Sequence, residues 1–514
     1  MNQNMKSLSI AALVMVGMLA CVKETPQETK PVETPGVTVT LSTTVNLQEN
    51  TKALTAGGVK TFAKNEQIAV VYKNTSGNTV KATSVALTDG DITNEGRSAQ
   101  FTVTLTDPDR SQNVTYIYPA AMAKDNGEPN WEALASQNGT LATLASQLDY
   151  AKYTGAWTAG ALPTGTLDNQ LAILALTLKS SDGASVITDE ISRLTLFTGA
   201  HSYVVTRTPA EGPIYIAIHP TDNADIQLVA QSATRFYTKS LTDKTYAASN
   251  GYPLSFRMAA LPEGALPGKF AIANGTEVYF SRGNLQAVFA SAGSSCTWQF
   301  AANQWDYIGI NTANTANNKI NGNGSVSAAG TVDLFGWSTA ATTYGIHNST
   351  INDTYSGTFK DWGENAITNG GNRINSGWRT LESTEWAYLW NSRGNAANLR
   401  TLATVNNVTG LILMPDGWTA SGVALTVTTA NYTTNNINST DWNTLEQQGC
   451  VFLPAGGYRH GTEIIYAGSY GAYWSSTSTS SDKATSMDFS SSTVVAYNTN
   501  RSTGCSVRLV YNAN

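Results

Sequence analysis

The sequence predicts a mostly β protein, with β-sandwich lobes in its N-terminal half and an α+β region at its C-terminal end. Three observations carry that prediction. From Val37 to Met258, short alternating or apolar runs recur between Gly, Asp and Asn turns. Helical periodicity is scarce across the same span. Beyond Leu261–Gly268 the composition changes, with Trp and Asn becoming frequent and helix signals entering in two stretches.

The chain opens with an export signal. Lys6 supplies a short basic segment, and Leu8 to Ala20 carries no charge. That stretch falls short of the roughly 20 apolar residues a membrane-crossing helix needs, so residues 1–20 read as a signal peptide. Met18-Leu19-Ala20-Cys21 resembles a bacterial lipobox, which implies lipidation at Cys21; the alternative is an ordinary signal peptide with an incidental Cys. Lys23-Glu24 faintly resembles the signal that sends lipoproteins of Bacteroides-type bacteria to the outer face of the outer membrane. Residues 21–36 are rich in Thr, Pro and charge, cannot bury a core, and read as a tether. The membrane is then touched only through the lipid.

Composition narrows the function classes. Net charge is −6 and only 13% of residues are charged, which gives no footprint for nucleic acid. Of four cysteines, Cys21 belongs to the lipobox, leaving Cys296, Cys450 and Cys505, too few for a disulfide scaffold.

Strands are expected at Val37–Leu41, Gln67–Tyr72, Gln100–Leu105 and Val114–Tyr118, forming a first lobe over residues 37–150. Gln67–Tyr72 is continuously apolar, as a strand buried on both faces should be. A second lobe, 151–260, carries Leu171–Leu178, Arg193–Phe197, Ser202–Thr206 and Pro213–Ile218. Thr51-Lys52-Ala53, Asn65–Val71, Asn169–Leu174 and Gly212–Ile218 resemble phrases of fimbrillin-like proteins, the pilus subunits of Bacteroides-type bacteria. The resemblance implies fimbrillin-like β-sandwich lobes. It also implies other pilus subunits as partners, with Lys52 as the position of a processing cut that removes a first strand. The plainer reading of Lys52 is a solvated surface lysine.

Leu261–Gly268, with two Pro and two Gly, reads as a hinge. After it, residues 269–514 begin with a strand at Val278–Leu285. A helix is expected over Ser383–Arg393, with Trp386, Leu389 and Trp390 on one face, capped by Glu382 or Ser383. A second is expected over Thr440–Gln448, starting at Ser439 and stopped by Gly449. Strands at Cys450–Pro454, Tyr473–Ser476, Ser486–Phe489, Val494–Tyr497 and Ser506–Val510 complete the region.

Trp378, Arg379, Glu385 and Trp386, with Arg508 in the closing Val507–Val510, match the spacing of a helix-start motif and last strand. They resemble the formylglycine-generating-enzyme type of C-type-lectin-like fold, so the region resembles an α+β C-type-lectin-like domain. That fold serves enzymes and ligand-display proteins alike. The enzyme needs a thiol pair, which Cys296, Cys450 and Cys505 do not form in any recognisable spacing. His201, His219, His347 and His460 are scattered, and no metal spacing, nucleophile elbow or phosphate loop is present. Glu382, Glu385 and Asp416 are candidate carboxylates only in the sense that glycosidase pairs leave no local motif. Glu128-Pro129-Asn130 matches a sugar-binding tripeptide of calcium-dependent lectins but lies outside this region and reads as a turn. No catalytic residue, metal ligand or cofactor is expected.

Small polar residues dominate between Trp474 and Ser506. Such a density suits a recognition surface, where Ser, Asn and Tyr hydrogen-bond adaptably. The candidate ligand-binding residues are Ser478, Thr479, Asp482, Lys483, Asp488, Tyr497, Asn498, Asn500 and Arg501. The position also resembles the variable segment of lectin-fold proteins diversified by retroelements; the alternative is a plain Ser-rich loop. The expectation is a cell-surface lipoprotein adhesin that binds an extracellular glycan or protein without catalysis. The other expectation is a structural or tip subunit of a fimbria.

Overall fold

The computed structural model describes residues 37–47, 61–199, 201–309, 317–318, 328–339, 344–346 and 355–513. Cys21, Lys52 and His347 lie outside the described residues. The chain is mostly β, with strands spread over several sheets and only short helices.

In the first sandwich, the strand Thr38–Leu47 lies between the antiparallel Ser98–Thr106 and the parallel Gly165–Asn169. Ser98–Thr106 alternates cleanly, putting Phe101, Val103 and Leu105 inside, as its period of two requires. The facing strands are Thr79–Thr83, Ala69–Lys73, Val114–Tyr118 and Ala151–Gly155. Ala69–Lys73 is buried on both faces, Val70 and Tyr72 in the first core and Ala69 with Val71 against the second, which accounts for its continuous apolar run. Val45, Phe101, Val70 and Tyr116 meet in the core.

The lobe boundary does not fall at residue 150. Ala151–Gly155 and Gly165–Asn169 complete the first sandwich, whereas Ser136–Gln137 pairs with Ser202–Thr206 of the second. Local patterning cannot reveal which sheet a short polar strand joins, because partner choice is set by burial against distant residues.

The second sandwich packs the sheet of Ile214–Ile218, Ala172–Lys179 and Gly251–Arg257 against a broader one containing Arg193–Phe197 and the hairpin Thr221–Gln231/Phe236–Tyr246. That hairpin leaves no sequence signal in its distal half. Residues such as Asp222, Asn223, Asp243 and Lys244 project past the core and are solvated, so no apolar alternation marks them.

Leu261–Gly268 is not a free hinge. Leu261, Ala265 and Leu266 are buried in one cluster with Phe197, Val229 and Phe236 of the second sandwich and Phe280, Trp386 and Leu453 of the C-terminal region. Backbone bonds pin it on both sides: Leu261 donates to Phe236 and Leu266 to Phe280 (both 2.9 Å). Arg235 pairs with Glu263 at 2.5 Å, and Gln447 donates to Gln231. Gly268 abuts Gly449 so closely that a Cβ would sit 2.2 Å from the Gly449 carbonyl oxygen. The Pro and Gly residues serve close packing here, not mobility.

In the C-terminal region, Phe270–Ala273, Thr276–Phe280, Val510–Asn512 and Trp378–Arg379 form one sheet that brings the two ends of the region together. The first helix is α-helical over Ser383–Ala387 and widens to a π turn over Tyr388–Ser392. Glu385 accepts the Glu382 amide and holds Arg379 bidentately at 2.7 and 2.8 Å, fixing the helix start. The second helix runs Ser439–Gln447. Its cap is Asn438, one residue before the expected Ser439, and Gly449 terminates it at φ +89°.

The closing strand is Val510–Asn512, not Ser506–Val510. Gly504, Cys505 and Ser506 each bridge a different neighbour (Arg459, Phe335 and Tyr473), so no continuous ladder forms along them. Arg508 is fully buried and donates to Gln304 Oε1 at 2.7 Å; Gln304 in turn donates to the half-buried Glu446 at 2.9 Å. An amide therefore relays the buried cation to its carboxylate, and burial pushes the Arg508 guanidinium down to about 10. Trp378, Trp386 and Trp474 are core residues. Among the described residues no helix is long and apolar enough to cross a membrane.

Candidate functional site

The polar C-terminal segment folds into an antiparallel three-stranded sheet: Tyr470–Ser478, Lys483–Ser490 and Val494–Asn500. Cross-strand partners share a face. Asp488 opposes Ala472 on one side and Val495 on the other, and Ser486 opposes Tyr497. Against this face the hairpin Tyr458–His460/Glu463–Ile465 adds Tyr458 and His460, and Tyr466 follows it. Gly457 makes the approach possible: at φ +70° a Cβ would lie 2.2 Å from the Ile465 carbonyl oxygen.

Between the hairpin and the sheet lies a cavity of about 470 Å³. Tyr458, Tyr466 and Tyr470 form one wall, with ring centroids 5.9 to 6.4 Å apart. Tyr497, 60% exposed, and the polar Lys483, Asn498 and Asn500 form the other. Asp488 lines the cavity yet is only 3% exposed. Its Oδ2 accepts the Tyr470 hydroxyl at 2.6 Å, and the Ser486 hydroxyl lies beside the same carboxylate as a second partner. Burial raises the Asp488 carboxyl above the ordinary carboxylate range, and the Tyr470 and Ser486 hydroxyls partly offset this. The Cys505 thiol beside it is pushed well up, first by burial and then by the Asp488 charge.

The nine residues singled out from the sequence separate into groups. Lys483, Asp488, Tyr497, Asn498 and Asn500 converge on the cavity. Ser478 and Thr479 are exposed at the far turn, and Asp482 is engaged there by Ser480 Oγ at 2.5 Å; that bond holds the Asp482 carboxyl below its ordinary range. Arg501 is not a surface group. It is 3% exposed, stacks 4.3 Å over Trp337, and donates to the carbonyls of Tyr355, Gly357 and Ser480. Its donors are spent on backbone, which corrects its reading as a ligand contact. The sequence reading missed Tyr458, His460, Tyr466 and Tyr470. The signal was present in Tyr residues flanking Gly-rich turns, where an apolar ring with a polar tip suits a wet surface.

The candidate carboxylates have structural employment. Asp416 pairs with the buried Arg393 at 3.0 Å, and Glu385 holds Arg379. Among the described residues, no three of His, Cys, Asp and Glu gather as a metal site, and Cys296, Cys450 and Cys505 are free thiols. A second cleft, of about 560 Å³, lies where the second sandwich meets the C-terminal region, between Asp225, Tyr279 and Trp418. Of the residues singled out from the sequence, only Asp416 borders it.

A protein-family model described as "Domain of unknown function (DUF8237)" matches residues 421–510, which include the whole cavity-bearing sheet. No curated protein matches the chain. Among solved structures, a fimbrial assembly protein from Parabacteroides distasonis is similar at 10% identity, over 47% of this chain and 95% of that one, with a TM-score of 0.27. The tip fimbrial protein Mfa3 from Porphyromonas gingivalis is similar at 10% identity, over 44% and 96% of the two chains, with a TM-score of 0.21. Likenesses at these scores decide nothing about function.

Proposed function

We propose that this chain is a cell-surface adhesin that binds an extracellular glycan or protein, without catalysis, at the tyrosine-lined cavity of its C-terminal region. The single observation that carries the reading is that cavity: aromatic rings, amides and a buried carboxylate converge on a rigid sheet. The lipobox-like Met18–Cys21 supports anchoring through a lipidated Cys21 in the outer membrane, facing outward, with 21–36 as tether. The resemblance of the region to C-type-lectin-like ligand-display proteins agrees with this use of the face. Binding of the full chain to a glycan array and to immobilised mucin and matrix proteins tests it, with Tyr466→Ala/Tyr497→Ala run beside the parent. Saturable binding weakened in the variant supports the site; equal binding by both moves the site elsewhere.

One observation favours a second reading, as a structural or tip subunit of a fimbria. Thr38–Leu47 is paired on both sides, and residues 48–60, with Lys52, follow it directly. A cut at Lys52 would leave that strand held by hydrogen bonds and packing alone, so a strand from another subunit can replace it. Mass spectrometry of the protein from its native surface, together with a test for detergent-stable polymers, separates the readings: an intact monomer argues against the fimbria.

A further inference from the structure

We propose that the outer edge of the C-terminal sheet, the strand Val494–Asn500, docks an extended segment of a partner protein, which adds to the sheet as a further strand and brings a carboxylate to Lys483. The inference rests on the adhesin reading and names its ligand class as protein.

The ladder decides which groups are open. Val494–Asn500 pairs with Lys483–Ser490 on one side only, in continuous register. Just past its end the Arg501 backbone N–H donates to Asp482 O, and just before its start Ser490 N–H donates to Thr493 O (2.9 and 2.8 Å). Antiparallel bonding alternates along a strand, so Val495, Tyr497 and Thr499 turn their N–H and C=O groups inward as well. Val494, Ala496 and Asn498 turn theirs outward, where among the described residues no backbone group meets them. Tyr497 and Val495 stand 60% and 44% exposed on this open edge.

An unpaired edge is a template for another strand, and folded chains ordinarily blunt it with charge, proline or a bulge. Other edge strands here are blunted: Gly251–Arg257 carries Pro253 and Arg257, and Thr79–Thr83 carries Lys81. Val494–Asn500 has no charge, no proline and no register shift over its seven residues.

The surroundings name the occupant. Successive side chains of an added strand point to opposite faces, and each face has a space beside this edge. The tyrosine-lined cavity receives one set; a groove of about 650 Å³ against Ser383, Thr384 and Ala387 of the first helix receives the other. Aromatic and β-branched side chains suit the face of Val495 and Tyr497. The exposed Lys483, opposite Asn500, is the charged group common to both spaces, so a carboxylate at that end is complementary. A second copy of this strand brings none, since residues 489–500 contain no Asp or Glu.

The test measures fluorescence anisotropy of the full chain with heptapeptides in which Thr alternates with Val, Ile, Phe or Tyr and Glu stands at either end. At least one is expected to bind, and to weaken as salt rises. That peptide is then N-methylated on alternate amides, in each of the two phases. The phase facing the edge should lose about tenfold or more, the other little. Ala496→Pro removes an outward N–H and no ladder bond, so the thermal midpoint should hold while binding falls about tenfold. Lys483→Ala should weaken binding severalfold. Equal effects of the two N-methylated phases, or peptide binding untouched by a folded Ala496→Pro, overturn docking at this edge. A concentration-dependent dimer in sedimentation that Ala496→Pro dissolves gives the edge to a second copy and overturns the partner assignment. Failure of every peptide overturns the inference; the adhesin reading stands if glycan or mucin binding persists and falls if that is absent too.

Discussion

Replacing Arg501 discriminates most sharply between the two roles its position suggests. Its guanidinium lies 4.3 Å over the Trp337 ring and donates to Tyr355 O (3.0 Å), Gly357 O (3.1 Å), Ser480 O (2.7 Å) and Lys483 O (3.3 Å). It therefore ties the 478–483 turn to the 355–357 segment. A hydrogen bond from a charged donor contributes about 1.5–3 kcal/mol, and a cation–π contact about 0.5–2 kcal/mol. These terms are not additive, so Arg501→Ala should destabilise by about 3–5 kcal/mol. Arg501→Lys should recover little, because an ammonium cannot fork to several carbonyls. Urea unfolding followed by tryptophan emission measures it, with the exposed Asn500→Ala as a control expected within about 0.5 kcal/mol of the parent. An Arg501→Ala protein within about 1 kcal/mol of the parent that had nevertheless lost ligand binding would refute the structural role and restore Arg501 to the ligand face.

Other outcomes follow from the same structure. Leu266→Ala should cost about 2–5 kcal/mol and lower the unfolding of the second sandwich and the C-terminal region together, since Leu266 is fully buried in the core they share; hydrogen exchange in which only one of the two loosens would contradict that shared core. Burial raises the carboxyls of Asp333, Asp361, Glu446 and Asp488. The folded state then binds protons more tightly than the unfolded chain, so this contribution is full below the ordinary carboxylate range and lost as pH rises through the raised values. His219, lowered by burial and by His201, acts oppositely, its share being lost as pH falls through its folded value. Thermal midpoints should accordingly rise between pH 7 and pH values just above the ordinary carboxylate range (~4.5), and rise further in His219→Gln; a steady fall in both proteins would sink the argument. In a chain beginning at Val37, a disulfide-exchange thiol reagent at pH 8 should find Cys450 and Cys505 inert and Cys296 slow, because burial raises all three thiols, Cys296 to about 11. Rapid native labelling of Cys450 or Cys505 would mean that their strands open.

Much of this protein was legible without coordinates. Val114–Tyr118, Arg193–Phe197 and Ser202–Thr206 are strands with the expected bounds, because short apolar runs between turn residues have few alternatives. The 439–447 helix was visible from its cap and stop residues, and five of the nine residues singled out in the polar 474–506 segment line the cavity. Each of these signals is local. The long hairpin Thr221–Gln231/Phe236–Tyr246 was not legible, since its solvated half has no apolar alternation.

The sequence by itself determined the β class, the polar character of the C-terminal sheet and the burial of its tryptophans, because hydrophobic period and composition act residue by residue. Tertiary structure alone decided three things. It turned Leu261–Gly268 from an apparent linker into a packed joint, since Pro and Gly suit close backbone contact as well as mobility. It drew Arg501 inward and buried the Asp488 carboxylate behind the Tyr470 hydroxyl beside the cavity. And it brought Tyr458, Tyr466 and Tyr470 against Lys483–Asn500, a pairing of distant segments that only the folded chain's packing specifies.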